Sequence, residues 1–356
     1  MRAFLFIGKN YLKFFLIIFL GLEFFFMGAD TIKYADKLPD SANLLILFFF
    51  YDALYALNYT LPLSLVLGSI LFYINFLKSS QLSALLALGY SRSKILSPVL
   101  FISLLITLGY IGLNATPFVY AQEKAEVIVN KNALQNAQED IFVKYNNNYV
   151  YFQKVFPLLN KAEGIKVFEL KNDELTKFIQ SDKATYTRGY WVLENAEVIS
   201  IDNHRFSFDE DVLEQNKVKE LMILHNFRPK VLDTFSKDRP TVSIIDAITS
   251  AKILISQKLD FEKVRAILYS FILIPLFVPL CIIIIASYIP SLARYGNLAL
   301  LTFGLVIFSL MIWGIFFSIS KFSIGGIIHP EAGVLIPFGI LLIYSLTRYF
   351  RMNSYQ

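Results

Sequence analysis

Apolar residues gather in the two halves of the chain, separated by a polar block from about 120 to 260 in which long apolar runs give way to alternation. Runs of about 20 apolar residues can cross a bilayer as helices. Four stand out, at 11–29, 95–116, 266–289 and 298–320. The run 44–77 is too long for one upright span and holds Asp52, Asn58 and Pro62, so the pattern places a span near 55–77. A sixth is predicted at 332–349, where Pro337 and Gly339 interrupt without ending the helix, because neighbouring helices can satisfy freed backbone groups. The plan is three spans, a polar block and three spans.

Inside the block the period changes to two. The runs 141–145 and 149–155 flank an Asn cluster and predict a hairpin, and further strands are predicted at 165–170, 190–201 and 205–208. Turn chemistry separates them at Lys171-Asn-Asp173, Arg188-Gly189 and Asp202-Asn203. Short strands without intervening helices predict a β-sandwich or jelly roll. Val143, Phe152, Val155, Phe168, Trp191 and Phe206 are its candidate inward-facing residues, serving either a lipid or an ordinary core. From Ser243, a candidate N-cap, Ile244, Ile248, Ala251 and Ile255 recur at helical spacing and predict a helix leading to span 4.

With 356 residues, 56% apolar and 17% charged, the composition is that of a membrane protein with one extra domain, not of a soluble enzyme. The net charge of +5 comes from scattered cations that flank spans, so no nucleic-acid partner is implied. Arg2, Lys9, Lys13, Lys78, Arg92, Lys94, Arg294, Arg348 and Arg351 all fall on one side of the predicted topology. By the positive-inside rule both termini are cytoplasmic and the block lies beyond the membrane. Span 1 is too long for a signal-peptide core and contains Glu23, so an uncleaved helix is expected. The lone Cys281 lies in a span, where it reads as a small buried apolar residue.

No phosphate-binding loop or dinucleotide fingerprint occurs, so ATP energy would come from another subunit. His204 and Asp209 match a His-x4-Asp acyltransferase spacing, a weak signal inside a strand-like stretch. His225 and His329 lack a second ligand at metal-binding spacing. Glu23 at mid-span is either a functional group facing the bundle interior or a hydrogen-bonded carboxyl used in packing. Lys33 and Lys37 after span 1, with Lys263 and Arg265 before span 4, form a candidate cationic rim for phosphorylated lipid. The competing reading is interfacial snorkelling, with Asp30 and Asp36 as partners. Between spans 2 and 3, Leu82, Leu85, Leu86 and Gly89 define a short helix, started near Ser80 and stopped at Gly89. Such a helix suits either docking on a motor protein or lying along the membrane surface.

Four segments resemble one family in order along nearly the whole chain. Gln81-Leu-Ser-Ala-Leu-Leu-Ala-Leu-Gly-Tyr-Ser91, with Pro98 behind it, resembles the coupling-helix region of the LptF/LptG permeases of lipopolysaccharide export. Thr31-Ile-Lys-Tyr-Ala-Asp-Lys-Leu38 is similar to the end of span 1 in LptG more than in LptF, and 147–155 looks like an early hairpin of the family's periplasmic jelly roll. His329-Pro-Glu-Ala-Gly-Val-Leu-Ile-Pro337 is similar to the start of its last span.

The resemblance implies a mixed membrane protein with six transmembrane α-helices and a periplasmic β-jelly-roll inserted between helices 3 and 4. Its segments would be 1–119 for helices 1–3 with a coupling helix at about 80–90, 120–260 for the jelly roll and helical connector, and 261–356 for helices 4–6. It implies a non-catalytic inner-membrane subunit with no cofactor of its own, ATP being held by a partner. The implied partners are an LptF-type permease, an LptB-type ATPase dimer, periplasmic jelly-roll proteins of the LptC and LptA types, and lipopolysaccharide. Lys33 matches a basic residue used near lipid phosphates, and Gln81 stands where the family often has a Glu facing the ATPase. The Glu262-x-x-Arg265 pair is similar to a pattern before span 4. An ABC-linked permease for another lipid, a force-transmitting subunit, an acyl- or phosphotransferase and a static anchor are the rival readings.

Overall fold

The computed structural model describes residues 2–130, 137–146, 148–171, 174–201, 213–236, 240–292 and 297–354. The chain divides into two compact units, Met1–Val129 with Arg265–Gln356, and Asn130–Val264. His204, Asp209, Phe206, the predicted strand 205–208 and Arg294 lie outside the described residues.

In the first unit the chain forms α1 (Arg2–Lys33), α2 (Ala42–Lys78), α3 (Gln81–Ala87), α4 (Arg92–Leu113) and α5 (Ala121–Asn130). Among the described residues, six helical stretches are long and apolar enough to span a membrane. The second, α2, runs unbroken for 37 residues through Asp52, Asn58 and Pro62. At 1.5 Å per residue it is about 55 Å long, well beyond a ~30 Å hydrocarbon core. Two of its polar positions find partners, while the buried Asp52 Oδ2 has none. Asn58 donates to the Tyr55 carbonyl (3.0 Å) and accepts from the Tyr110 hydroxyl (3.0 Å), while Thr60 donates to the Ala56 carbonyl (3.1 Å). At Gly68 the backbone of α2 meets α1 so closely that a Cβ would lie 2.9 Å from Phe15 Cα.

After the second unit the chain returns through α8 (Glu262–Ile272) and α9 (Phe277–Tyr288), which are interrupted by a 3-10 turn at Ile274–Leu276. Pro275 lacks the N–H a continuous helix needs, so the predicted span 4 is a broken one. Next come α10 (Leu298–Ile324), capped by Asn297 Oδ1 accepting from Ala299 N (3.0 Å) and Leu300 N (3.2 Å), and α11 (Ile336–Ser354). A π-helical turn at Glu331–Leu335 leads into α11. Cys281, Ile282, Ile284 and Ile285 of α9 are fully buried, in one core with residues of α1, α2, α4 and α11.

The second unit holds β1 (Gln138–Tyr145), β2 (Asn148–Phe156), β3 (Lys161–Lys171), β4 (Glu174–Thr187), β5 (Tyr190–Ile201) and β6 (Leu213–Ile223), followed by α6 (Asp233–Ser236) and α7 (Ile244–Ser256). All six strands pair antiparallel in chain order, so the described sheet is a meander with β1 and β6 at its edges. Arg188 and Gly189 both take positive φ between the paired Thr187 and Tyr190, the geometry of a two-residue hairpin turn. Alternation sends Val143, Phe152, Ile165, Ile179, Trp191 and Leu193 to one buried face, closed by Phe227, Val231 and Leu232. Phe168 is not in that core and stacks instead on Phe178 across the strand pair, with ring centroids 5.0 Å apart. The Trp191 indole donates to the Phe227 carbonyl (2.8 Å). The predicted helix after Ser243 is α7, whose first turn the Ser243 hydroxyl caps by accepting from Asp246 N (3.2 Å).

The units divide at 130 and 264, not at 120 and 260, because residues 121–130 form α5, whose Ala125 and Val129 are buried against Phe48 of α2.

Candidate functional site

The short helix between the second and third spans is built as its sequence predicts. Ser80 takes a left-handed conformation (φ 58°) and α3 begins at Gln81. At the other end Gly89 (φ 81°) donates to the Leu86 carbonyl and Tyr90 to the Leu85 carbonyl, a paired glycine stop. Seven residues are too few for a stable free helix in water, so contacts must hold α3 in place. Leu82 is buried in the helical core, with Leu85 and Leu86 packed against it. The Ser83 hydroxyl donates to the Ser291 carbonyl (2.7 Å), beyond the end of α9. Arg92 donates to the Ile289 carbonyl (3.1 Å) and the Ser291 hydroxyl (2.6 Å). Gln81 is half-buried, while Ala84, Ala87 and Leu88 are exposed. One face of α3 is therefore fixed to the bundle, and the other is presented outward.

The candidate lipid residues separate into three settings. Glu23 is half-buried and accepts a 2.6 Å hydrogen bond from the Thr60 hydroxyl, tying α1 to α2. Lys33 and Lys37 are exposed, at the end of α1 and in the following turn Ala35–Lys37. The Lys33 ammonium lies 4.7 Å from the Tyr34 ring centroid, a cation–π contact. Arg265 is half-buried and bound to Glu331 at 2.6 Å, joining α8 to the π-helical turn before α11. Its positive charge is thus matched by a carboxylate, unlike the open cation of the predicted rim. Lys263 falls in the sheet-bearing unit, on the far side of the division from Arg265.

Among the described residues no group of three or more His, Cys, Asp or Glu side chains is arranged to hold a metal ion. His225 is exposed and packs on Tyr190, with ring centroids 4.6 Å apart.

The family model described as lipopolysaccharide export system permease LptF/LptG matches residues 5–351. The chain belongs to that family. No individual curated protein matches it. As a member of the LptF/LptG family it is a permease of lipopolysaccharide export, and its six apolar helices and antiparallel sheet fit a membrane protein carrying a sheet domain.

Sequence reasoning missed three contributors to these sites. Thr60 looks like one more polar interruption of α2, Glu331 like an isolated acid before the last span, and Arg92 like a topology charge. Each finds its partner 37 or more positions away, so no local pattern marks them.

Proposed function

We propose that this LptF/LptG-family chain is the LptG-like, non-enzymatic subunit of an ATP-driven transporter that extracts lipopolysaccharide from the inner membrane and passes it to a periplasmic bridge. Both termini face the cytoplasm, and the sheet domain acts as the periplasmic jelly roll between the third and fourth spans. The chain pairs with an LptF-type permease, and an LptB-type ATPase dimer docks on the outward face of α3. Nucleotide-driven closure pushes on α3, and Leu82, Ser83 and Arg92 pass the displacement to α9. Gln81 and Gly89 shape the docking face with Ala84, Ala87 and Leu88, and Leu85 and Leu86 support it from the core side. Gln81, without the usual charge, docks by hydrogen bonding.

The observation that supports this reading most is the seating of α3, a helix far too short to stand alone yet fixed on one face and exposed on the other. At the opposite end of α1, Lys33 and Lys37 offer exposed ammonium groups suited to lipid phosphates. Lys263 and Arg265 are further candidate lipid contacts, Arg265 while paired with Glu331. An exposed edge strand, β1 or β6, extends the sheet into an LptC- or LptA-type neighbour by strand addition.

The test is depletion of the chain in its native cell, followed by measurement of lipopolysaccharide at the cell surface, together with mild-detergent purification of the tagged protein. Loss of surface lipopolysaccharide and recovery of a permease and an ATPase are expected. Normal surface lipopolysaccharide under full depletion would sink the proposal. For the lipid contact, Lys33→Glu should weaken photocrosslinking to lipopolysaccharide from a neighbouring position; unchanged crosslinking would leave Lys33 a snorkelling side chain.

A further inference from the structure

The end of the helical unit that carries α3 contains a basic cavity, of whose lining the transport reading uses only Leu86 and Arg92. It has a volume of about 600 Å³ and is lined by Arg92, Arg348 and Arg351 with Ser287 and Ser291. Arg348 is fixed by donating from Nε to the Ser287 hydroxyl (3.0 Å) and by stacking its guanidinium 4.1 Å from the Tyr288 ring centroid. Arg92 is held by Ile289 and Ser291, and Arg351 is exposed. Among the described residues none of the three is in a salt bridge with a carboxylate. The sequence offers no carboxylate nearby, since no Asp or Glu occurs at 1–22, 53–122, 263–330 or 332–356. The acids of this unit sit toward the other ends of their helices, at 23–52, 123–126 and 331. Among the described residues of this unit, no carboxylate neutralises the three arginines.

Beside the cavity lies an apolar groove of about 530 Å³, floored by Leu300, Leu301, Gly304, Leu305 and Phe308 of α10. Tyr288 and Tyr344 line it too, and their hydroxyls are hydrogen-bonded to each other at 2.6 Å. The same Tyr288 ring carries Arg348. One tyrosine pair therefore separates a cationic, hydroxyl-rich cavity from a lipid-facing apolar groove, the order in which a headgroup and an acyl chain meet a membrane protein. A free phosphate would need only the cavity, and an acidic protein surface would have no use for the groove.

We propose that Arg92, Arg348 and Arg351 with Ser291 bind the phosphate of an anionic glycerophospholipid whose acyl chain lies in the α10 groove. The headgroup takes charge-assisted hydrogen bonds from the guanidinium donors and a hydrogen bond from the Ser291 hydroxyl; Ser287, whose own proton goes to the Ile284 carbonyl (2.7 Å), holds Arg348 in place, and Gly304, with open space around its Cβ position, leaves room for the chain. The site is defined by the bundle end alone and does not depend on which lipid the protein exports. Only its assignment to the cytoplasmic leaflet rests on the orientation proposed above.

The test uses the full chain in neutral detergent, titrated with fluorescent phosphatidylglycerol, with phosphatidylcholine of the same acyl chains, and with inorganic phosphate as competitor. Phosphatidylglycerol should bind at least tenfold more tightly than phosphatidylcholine, and millimolar phosphate should compete only weakly. Arg92→Gln with Arg348→Gln should abolish that preference. Arg351→Gln, at an exposed position that does not threaten folding, should reduce it by roughly fivefold. Gly304→Trp should weaken binding of both lipids while the preference remains. Equal binding of the two lipids by the unaltered chain would overturn the proposal, as would full displacement by phosphate. So would arginine variants that keep the lipid preference and lose a co-purifying ATPase, since that result assigns the arginines to a protein partner.

Discussion

Leu82→Ala should release α3 without unfolding the bundle around it. Leu82 is the buried member of a seven-residue helix, and the neighbouring Leu85 and Leu86 are only partly covered. Truncating a well-buried leucine costs about 2.7–5 kcal/mol when its surroundings cannot collapse. A helix this short has little stability of its own to set against that loss, so the cost falls on local opening. At 1.4 kcal/mol per tenfold, the lower figure predicts that α3 opens roughly 100-fold more often. Amide hydrogen exchange on the purified chain would read this directly. Backbone amides such as Ala84 N and Leu88 N, which donate to the Ser80 and Ala84 carbonyls at 3.0 Å, should lose about two orders of magnitude of protection. Amides in α9 should keep theirs. Ser83→Ala, which removes only the hydrogen bond to Ser291, should produce about a fivefold change. If protection in α3 were unchanged in Leu82→Ala, the helix would be held by something other than its seat. If protection fell throughout the bundle, α3 would be an integral part of the core instead of a mounted element.

Four further outcomes are expected. Gly68→Ala places a Cβ 2.9 Å from Phe15 Cα and 3.1 Å from Phe15 N, against backbone that cannot rotate away; it should destabilise the detergent-solubilised chain by about 1–3 kcal/mol. Gly109→Ala, with nothing within 4 Å, should be neutral in the same thermal-unfolding comparison. Trp191→Phe removes the indole donor and strands the buried Phe227 carbonyl, so the sheet unit should lose about 1–3 kcal/mol, read as faster cleavage in limited proteolysis of the full chain. Glu197, whose carboxyl is held below its usual range by hydrogen bonds from Lys217 and then Gln180, contributes stability at neutral pH that is lost as pH falls through its lowered titration range. Carboxyl titration by NMR should find it below the other glutamates, and Lys217→Ala should return it toward them.

The spans were readable because hydropathy over about 20 residues is a strong constraint, whereas their breaks were not. Asp52, Asn58 and Pro62 look like the edge of a span, yet α2 runs through them; Tyr110 and Glu23, distant in sequence, complete the hydrogen bonding of Asn58 and Thr60. Pro275 looks tolerable inside a long apolar run and instead divides it. In the sheet, β1, β2 and β5 follow clear alternation. β4 and β6 carry charge along most of their length (Glu174, Lys177, Asp182 and Lys183 in one, Lys217, Lys219 and Glu220 in the other) and become strands through pairing with β3 and β5. α3 was legible from four residues and its glycine stop. The basic cavity was not, because its lining comes from three separate segments; the one available signal was the absence of acids along them.

The enclosure of α9 has a mechanical meaning. Cys281, Ile282, Ile284 and Ile285 are packed on several sides of this helix, so tilting it would open voids against several neighbours at once, at about 24 cal/mol for each Å³. The lipid-facing α10, with Leu300, Phe303, Met311 and Ile315 exposed, meets no such penalty. A push delivered through Ser83 and Arg92 to the end of α9 is therefore transmitted as displacement of a rigid post, while the compliance of the bundle resides in its outer helices.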